Sequence, residues 1–451
     1  MSDALATDVY ELAMMAGYYE HRHTGLATFE LLTRHLPPGR SLLIAAGLEQ
    51  ALDYLERLSF DRADIEYVRS LPMFAGISPS FFEEILPRFR FSGEVWAIEE
   101  GTPVFPQEPI LRVTAPLPEA QLVETALLAI VSYQTSVASK AIRVVESADG
   151  RSVIDYGARR AHGIDSALHA ARAAYLAGCD ATSYTDAGRR FGIPVSGTMA
   201  HSWVMSFADE LEAFQKFSSI YGDRAVLLVD TYDTAAAVDR LITSGLKPAA
   251  VRLDSGDVVH LSRIVRHRLD GGGLRRTQIV VSGDLDEYKI ADIVAAGAPV
   301  DAFGVGAAIA TSSDAPSLGT LYKLVEVERG GQTVGVMKLS PDKRTLPGRK
   351  QVWRRYKGDT ADSDFVMLAD EPGPEEAVPL LQRVMVDGRR QQPSRSLGEL
   401  RLSCREAVDR MPIPVRGVRD GARYPIRFSD ALMARSRAGN RPAGTGTLQS
   451  V

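Results

Sequence analysis

The chain has 451 residues, 45% of them hydrophobic and 24% charged, which suits a globular protein of two or three domains with a large core. Its formal net charge of −5 gives no basic surplus for a nucleic-acid partner. Only two cysteines occur, so a disulfide framework is excluded, and no apolar run nears the roughly 20 residues that span a bilayer.

Residues 1–10 lack the basic, apolar and small-residue order of a secretory leader, so the chain is expected in the cytoplasm, with no membrane attachment. Helical periodicity is predicted over 7–21 and 47–59, a strand over 27–32, and a turn at Pro37–Pro38–Gly39. Residues 91–115, rich in Val, Pro and Gly, read as short strands with tight turns, and a helix from 119 to about 144 follows.

From 152 to 306 the pattern becomes regular. Strands are predicted at 152–156, 193–196, 225–229, 249–253, 278–281 and 301–305. Helices are predicted between them at 166–176, 202–217, 234–244, 258–269 and 286–296, with Gly178, Gly245, Gly271 and Gly297 closing helices. Strict alternation implies parallel pairing. The absence of a dinucleotide glycine fingerprint after the first strand favours an irregular TIM-like (β/α) barrel over an open doubly wound sheet. Hairpins follow, at 322–328 and 333–339 about the turn Gly330–Gly331, then a helix at 396–410. We read 1–145 as an N-terminal α/β domain, 146–320 as the barrel, 321–437 as a C-terminal region of strands and helix packing back, and 438–451 as a disordered tail.

Polar residues follow every barrel strand: Arg159, Arg160 and His162; Gly197, Thr198 and His201; Asp230, Thr231 and Asp233; Arg252, Asp254, Ser255 and Asp257; Ser282, Gly283 and Asp284; Gly304 and Gly306. All fall at C-terminal strand ends, where barrel enzymes build their sites. The glycines let backbone N–H groups approach a phosphate. Asp254 and Asp257 suit Mg²⁺ or ribose hydroxyls. Arg159, Arg160 and Arg252 suit a diphosphate or a carboxylate. Plainer readings stand beside these. A lone Gly-x-Gly is weak, Asp257 is placed to cap a helix, Arg159–Arg160 fits a solvated charge pair, and a histidine at a helix start is often structural.

Many ordered blocks carry a resemblance. They include Thr7–Asp8–Val9–Tyr10–Glu11–Leu12, Leu36–Pro37–Pro38–Gly39–Arg40, Ser139–Lys140–Ala141 and Gly157–Ala158–Arg159–Arg160–Ala161. Further blocks are Gly197–Thr198–Met199–Ala200–His201–Ser202, Arg252–Leu253–Asp254–Ser255–Gly256–Asp257, Ser282–Gly283–Asp284 and Phe303–Gly304–Val305–Gly306. The chain resembles the nicotinate phosphoribosyltransferase family over nearly its whole length. The resemblance implies a type II phosphoribosyltransferase fold, and a homodimer in which two subunits complete each other's sites. It implies nicotinate and phosphoribosyl pyrophosphate as substrates, ATP as co-substrate and Mg²⁺ as cofactor. By the same carry-over His201 is phosphorylated transiently by ATP, Arg160 meets the nicotinate carboxylate, and Tyr10 approaches the pyridine ring. Gly283, Gly304 and Gly306 hold the 5′-phosphate, Asp254 and Asp257 serve the ribose and metal side, and Arg159, Thr198, Ser202, Arg252, Ser282 and Asp284 contact substrate. His162 and Tyr184–Thr185 depart from the family pattern near the site. The alternatives are a quinolinate or nicotinamide phosphoribosyltransferase, or a non-catalytic phosphosugar-binding barrel. The stretch Val226–Leu227–Leu228–Val229–Asp230–Thr231 fails to match the diphosphate loop of the other phosphoribosyltransferase fold, because its acids are not adjacent and no Gly follows.

Overall fold

A computed structural model describes residues 3–338 and 345–438; the tail expected over 438–451 lies, from 439 on, outside the described residues. The N-terminal strands are β1 (Leu26–Thr33), β2 (Leu43–Ile44), β3 (Glu94–Ile98), β4 (Pro103–Val104) and β5 (Pro109–Pro116). The central strands are β6 (Ser152–Asp155), β7 (Ala181–Thr182), β8 (Val226–Leu228), β9 (Ala250–Leu253), β10 (Gln278–Val281) and β11 (Ala302–Val305). Beyond them come β12 (Thr320–Arg329), β13 (Gln332–Gly335), β14 (Lys350–Lys357), β15 (Thr360–Leu368), β16 (Ala377–Pro379), β17 (Leu381–Val386), β18 (Arg389–Arg390) and β19 (Ile426–Phe428).

The central strands pair in parallel in the order β7-β6-β11-β10-β9-β8. Their sequences are nearly continuous apolar runs because helices cover one face and core the other; β9 and β11 are buried at every position. The arc extends by one parallel bridge, Thr182 to Val195. The predicted strand at 193–196 is therefore a single bridge, and β7, a two-residue strand with no periodicity to betray it, takes the sheet position. The two ends of the arc do not pair as strands. A side chain spans that seam instead: the Thr198 hydroxyl donates to the Val226 carbonyl on β8, at 2.8 Å. The result is a half-closed, irregular barrel.

Helix ends follow the local chemistry. Asp233, Asp257 and Asp286 each cap a helix, with carboxylates accepting backbone N–H groups of the first turn. Gly178, Gly245 and Gly297 take left-handed backbone as expected, whereas Gly271 is the last helical residue and the left-handed turn falls at Gly273. The expected helix 202–217 breaks into His201–Met205 and Glu210–Tyr221, since Ser206 and Asp209 offer short polar side chains that favour turns and caps over helix.

The C-terminal strands do more than pack back. A seven-stranded sheet in the order β13-β12-β1-β5-β3-β17-β18 interleaves early and late strands. In it β1 pairs antiparallel with β5 and also with β12, the latter across nearly 300 residues of chain. Helix Leu397–Asp409 lays Leu400, Cys404 and Val408 into the barrel core. The 24-residue helix Glu124–Ser147 joins the two main cores, with Leu127 and Val131 in that of the sheet and Val137, Ala141 and Val144 in that of the barrel. Among the described residues no helix is long and apolar enough to cross a membrane.

Candidate active site

Register levels the strand ends. Asp155 on β6 pairs with Val305 on β11 and with Thr182 on β7; Val281 on β10 pairs with Leu253 on β9. The next residue of each chain segment therefore comes up on a common rim: Tyr156, Ser183, Asp254, Ser282 and Gly306.

At the centre of that rim is a lattice of hydrogen bonds. Arg252 is buried, and its Nη2 donates to Asp254 Oδ1 at 2.6 Å while its Nε donates to Ser282 Oγ at 2.8 Å. The Ser282 hydroxyl donates to the same Asp254 oxygen at 2.5 Å. Burial would raise the Asp254 carboxyl, but the Ser282 hydroxyl and then the Arg252 guanidinium hold it below the usual carboxylate range. Asp254 is thus an anion whose Oδ2 is not used by the lattice. That oxygen lies 3.7 Å from His201 Nε2, and the His201 side chain is 37% exposed, open to a ligand. The other ring nitrogen, Nδ1, is 3.1 Å from Thr231 Oγ1. His201 opens its helix with Ala200 as N-cap, so the imidazole stands at the seam that Thr198 bridges.

Gly283, after β10, and Gly304, which lies within β11 rather than in the expected loop, leave no room for a side chain. At Gly283, φ is +98° and a Cβ would sit 2.0 Å from the Asp254 carbonyl oxygen. At Gly304 a Cβ would meet the Tyr156 ring at 2.4 Å. Backbone there is pressed against its neighbours, with Gly283 and Asp284 exposed on the outer side, a shape suited to backbone recognition of a phosphate. Arg159 and Arg160, on the single turn after β6, are exposed, and neither side chain forms an ion pair or hydrogen bond with a described residue. Two unengaged guanidinium groups at a strand end suit an anionic ligand. Ser202 is exposed beside His201.

Two of the expected residues are placed differently. Asp257 caps helix Val258–Gly271, with Oδ1 accepting from the His260 N–H at 3.0 Å, so one carboxylate oxygen is committed. Tyr10 lies on helix Val9–Glu20, 45% exposed, with its hydroxyl pKa raised by burial and by the nearby Glu124 and Glu11 carboxylates. The charged groups about its hydroxyl, Glu124, Glu11 and Asp8, are not rim residues. Within one chain, then, the structure gathers His201, Arg252, Asp254 and Ser282 but not Tyr10. A cleft of about 850 Å³, lined in part by Tyr133, His169 and Arg172, is also elsewhere and contains none of the rim residues.

Two contributors, Tyr156 and Asp155, escape the sequence pattern, and a third, Asp230, was expected only as one of the polar residues after a strand. Tyr156 stacks under the Arg252 guanidinium, 5.8 Å from ring centroid to carbon, and burial raises its pKa so that it stays a neutral phenol. Asp155 is buried and accepts from the Gly157 N–H and the Thr182 hydroxyl, each at 2.8 Å, fixing the turn that presents Arg159 and Arg160. Asp230 Oδ2 accepts from the Asp254 N–H and the Ser255 hydroxyl, each at 2.8 Å, while its Oδ1 is buried without a hydrogen-bond partner. Position directly at a strand end was the available signal for all three.

The carboxylates allow a test of the expected metal. Among the described residues no group of three or more His, Cys, Asp or Glu converges into a cation cage. Mg²⁺ seldom needs one: it keeps waters and binds through one or two carboxylates plus substrate phosphates. The spare oxygens of Asp254 and Asp230 fit that mode.

Comparison with known proteins bears on the family and the fold. Residues 5–132 match the model of the nicotinate phosphoribosyltransferase N-terminal domain, and residues 152–345 match that of the nicotinate phosphoribosyltransferase family. A nicotinate phosphoribosyltransferase of Mycobacterium tuberculosis is 44% identical over 95% of this chain and 92% of its own length. That of Bacillus subtilis is 41% identical over 82% of this chain and 76% of its own. The crystal structure of human nicotinic acid phosphoribosyltransferase superposes with a TM-score of 0.84 at 29% identity, covering 96% of this chain and 99% of the human one. With two family models spanning most of its length and relatives of this similarity, the chain belongs to the nicotinate phosphoribosyltransferase family.

Proposed function

We propose that this rim transfers the phosphoribosyl group of phosphoribosyl pyrophosphate to nicotinate, with ATP hydrolysis coupled to the step through His201. The observation that carries the coupling is the placement of a half-open His201 beside the ionised Asp254. The pyridine nitrogen supplies its lone pair to the ribose C1′, and the C1′–O bond to diphosphate breaks with its electrons leaving on diphosphate. Charge develops on the sugar and on the leaving group. The chain answers with Asp254 on the sugar side and guanidinium groups on the anionic side. Asp254 and Asp230 would hold Mg²⁺ through their spare oxygens, and the ion would neutralise charge on the diphosphate. Arg160 offers a fork to the nicotinate carboxylate, with Arg159 beside it. The Gly283 and Gly304–Gly306 loops take the 5′-phosphate, Thr198 closes the seam, and Ser202 and Asp284 face the bound ligand.

ATP then acts by phosphorylating His201. With Nδ1 engaged by Thr231, the γ-phosphoryl passes to Nε2 and ADP leaves; water later returns the group as phosphate. A phosphoryl dianion beside Asp254 would repel that carboxylate and rearrange the Arg252–Ser282 lattice, linking hydrolysis to substrate affinity.

The open rim also needs a cover. Ile164, Val195, Met205 and Tyr232 are exposed apolar residues around it, and Val9, Tyr10 and Met14 are exposed on the N-terminal helix. A second copy docking its Tyr10 helix over the rim buries both sets and brings a tyrosine to the nicotinate ring. We keep domain limits near 145 and 320, with late strands completing the N-terminal sheet. Two free, buried thiols accord with a cytoplasmic protein.

Incubation with nicotinate, phosphoribosyl pyrophosphate and Mg²⁺, with and without ATP, and mass analysis of the products tests the reading. Nicotinate mononucleotide should form and nicotinamide should be a poor substitute, because a carboxylate site rejects the neutral amide. His201→Ala should lose an acid-labile phosphoryl adduct and the ATP stimulation, yet retain ATP-independent transfer. Undiminished stimulation in that variant would sink the coupling. Mixing inactive Arg160→Ala and Tyr10→Ala subunits should restore about a quarter of the activity if sites are shared; no recovery would place Tyr10 outside the site.

A further inference from the structure

Beneath the two glycine loops lies a group of buried charges that the transfer chemistry does not use. Three cations come from one side of the molecule. Lys140 and Arg143 lie one turn apart on helix Glu124–Ser147, and Arg40 follows the Pro37–Pro38–Gly39 turn. Lys140 and Arg40 have almost no exposed side-chain area. Two carboxylates face them from the barrel. Glu287 is fully buried and is the first residue of helix Glu287–Ala295, three residues past the Ser282–Gly283–Asp284 loop. Asp314 lies four residues past helix Ala307–Ala310, which the Gly304–Gly306 loop opens.

The contacts join these elements into one unit. Lys140 Nζ is 2.5 Å from Glu287 Oε2, a close ion-pair contact rather than an aligned hydrogen bond, and 3.0 Å from Asp314 Oδ1. Arg40 grips Asp314 with two parallel hydrogen bonds, Nε to Oδ2 and Nη2 to Oδ1, each 3.0 Å. Arg143 Nε donates to Glu287 Oε1 at 2.9 Å and its Nη2 to the Tyr288 hydroxyl at 3.0 Å. A separate feature points the same way. Ser312 is a buried non-glycine residue with φ of +45°, and Arg40 Nη2 donates to its hydroxyl at 2.6 Å. Strained backbone persists where its surroundings over-determine it. Here the determinant is the same arginine that holds Asp314.

We propose that Lys140, Arg40 and Arg143, through Glu287 and Asp314, form a positioning clamp that fixes both phosphate-facing loops against the long helix and thereby sets affinity for phosphoribosyl pyrophosphate. The inference rests on the reading that these loops hold the 5′-phosphate. A buried ion network contributes little net stability, since desolvation offsets much of the attraction, whereas fixed geometry is what it can supply. Lys140 is the one member that touches both carboxylates, so it couples the two loops. Backbone recognition of a phosphate tolerates little displacement, and a shift of about an ångström costs substantial affinity or rate.

Steady-state kinetics and melting curves on four variants decide the matter. Lys140→Met and Asp314→Asn should each raise the KM for phosphoribosyl pyrophosphate about tenfold or more, with kcat and the nicotinate KM changed less than about threefold. Asp364→Asn, in an equally buried ion pair far along the chain, should lower the melting temperature without that split. Gly283→Ala reports on the loop reading itself. If it leaves phosphoribosyl pyrophosphate binding intact, the loop assignment falls and the clamp with it. If Gly283→Ala weakens binding while folded Asp314→Asn stays within about twofold of the parent, the clamp alone is overturned. Should Lys140→Met fail to fold, Asp314→Asn decides, because Asp314 is 26% exposed and its loss does not strand a fully enclosed lysine.

Discussion

Two regions of the molecule are dense in charge, and they differ in what they leave unused. In the C-terminal part, Arg354 and Asp364 are fully buried and joined at 2.6 Å. Arg354 also donates to the Pro103 carbonyl and lies over the Phe105 and Tyr424 rings, and the Tyr424 hydroxyl donates to Asp364. Glu108 completes the group. Burial, and then the Asp364 carboxylate, push its pKa well above the usual value and so favour the neutral acid. A proton on the buried Oε1 would leave this group with no uncompensated charge. At the barrel rim, by contrast, Asp254 retains a free oxygen, Asp230 has a buried oxygen with no partner, and Arg159 and Arg160 are unengaged. A closed charge group serves structure. A group with capacity left over is where a charged ligand fits.

The largest effect that sharpens this contrast is expected at Asp254. Asp254→Asn keeps the shape but removes the anion that Arg252 and Ser282 sustain, and kcat/KM should fall on the order of 10²- to 10³-fold with the melting temperature little changed. A variant that loses stability instead, with transfer intact, would place Asp254 among the structural charges.

Arg160→Lys comes next. Lysine keeps the charge but not the fork, so the nicotinate KM should rise about tenfold or more while the phosphoribosyl pyrophosphate KM stays within about threefold. Substrate-dependence curves for each substrate in turn check this; equal KM shifts for both would remove Arg160 from the carboxylate.

The closed group should answer to pH instead of substrate. Glu108 binds its proton more tightly folded than unfolded, so its contribution is full below the ordinary glutamate value of 4.5 and is lost as pH rises through the raised folded value. Glu108→Gln is neutral at every pH. It should flatten the decline of melting temperature on the alkaline side and leave kinetic constants alone. An unchanged slope would mean that Glu108 is ionised in the folded protein.

The parallel strands were legible in the sequence because their apolar runs are bounded by helix-closing glycines and capping aspartates. So was the rim, because each strand is followed at once by polar residues. What stayed hidden lacked local pattern. β7 has two residues, and its place is set by register with β6. The interleaving of β1 with β12 is a non-local pairing that no window of sequence contains. Tyr156 and Asp155 read as ordinary strand residues until the Arg252 guanidinium and the Thr182 hydroxyl are placed against them. Lys140 read as one cation in a helix, and only packing shows it between Glu287 and Asp314.

The smallest expected effect tests the contrast inside the rim itself. Asp257 sits on the open face, is exposed and follows Asp254 by three residues, so position alone would count it with the ligand-facing acids. Its Oδ1, however, accepts the His260 N–H and starts helix Val258–Gly271. If leftover capacity is the criterion, Asp257 belongs chiefly to the fold. Asparagine caps as well as aspartate, so Asp257→Asn should keep both the melting temperature and, within about threefold, kcat/KM at limiting Mg²⁺. Asp257→Ala removes the cap and should cost about 1 kcal/mol of stability, seen as a lowered melting temperature. A large Mg²⁺-dependent loss of activity in Asp257→Asn, with stability unchanged, would show that the second carboxylate oxygen does the work at the ribose and metal side. The criterion would then have to count single oxygens rather than whole side chains, as the spare oxygens of Asp254 and Asp230 already suggest.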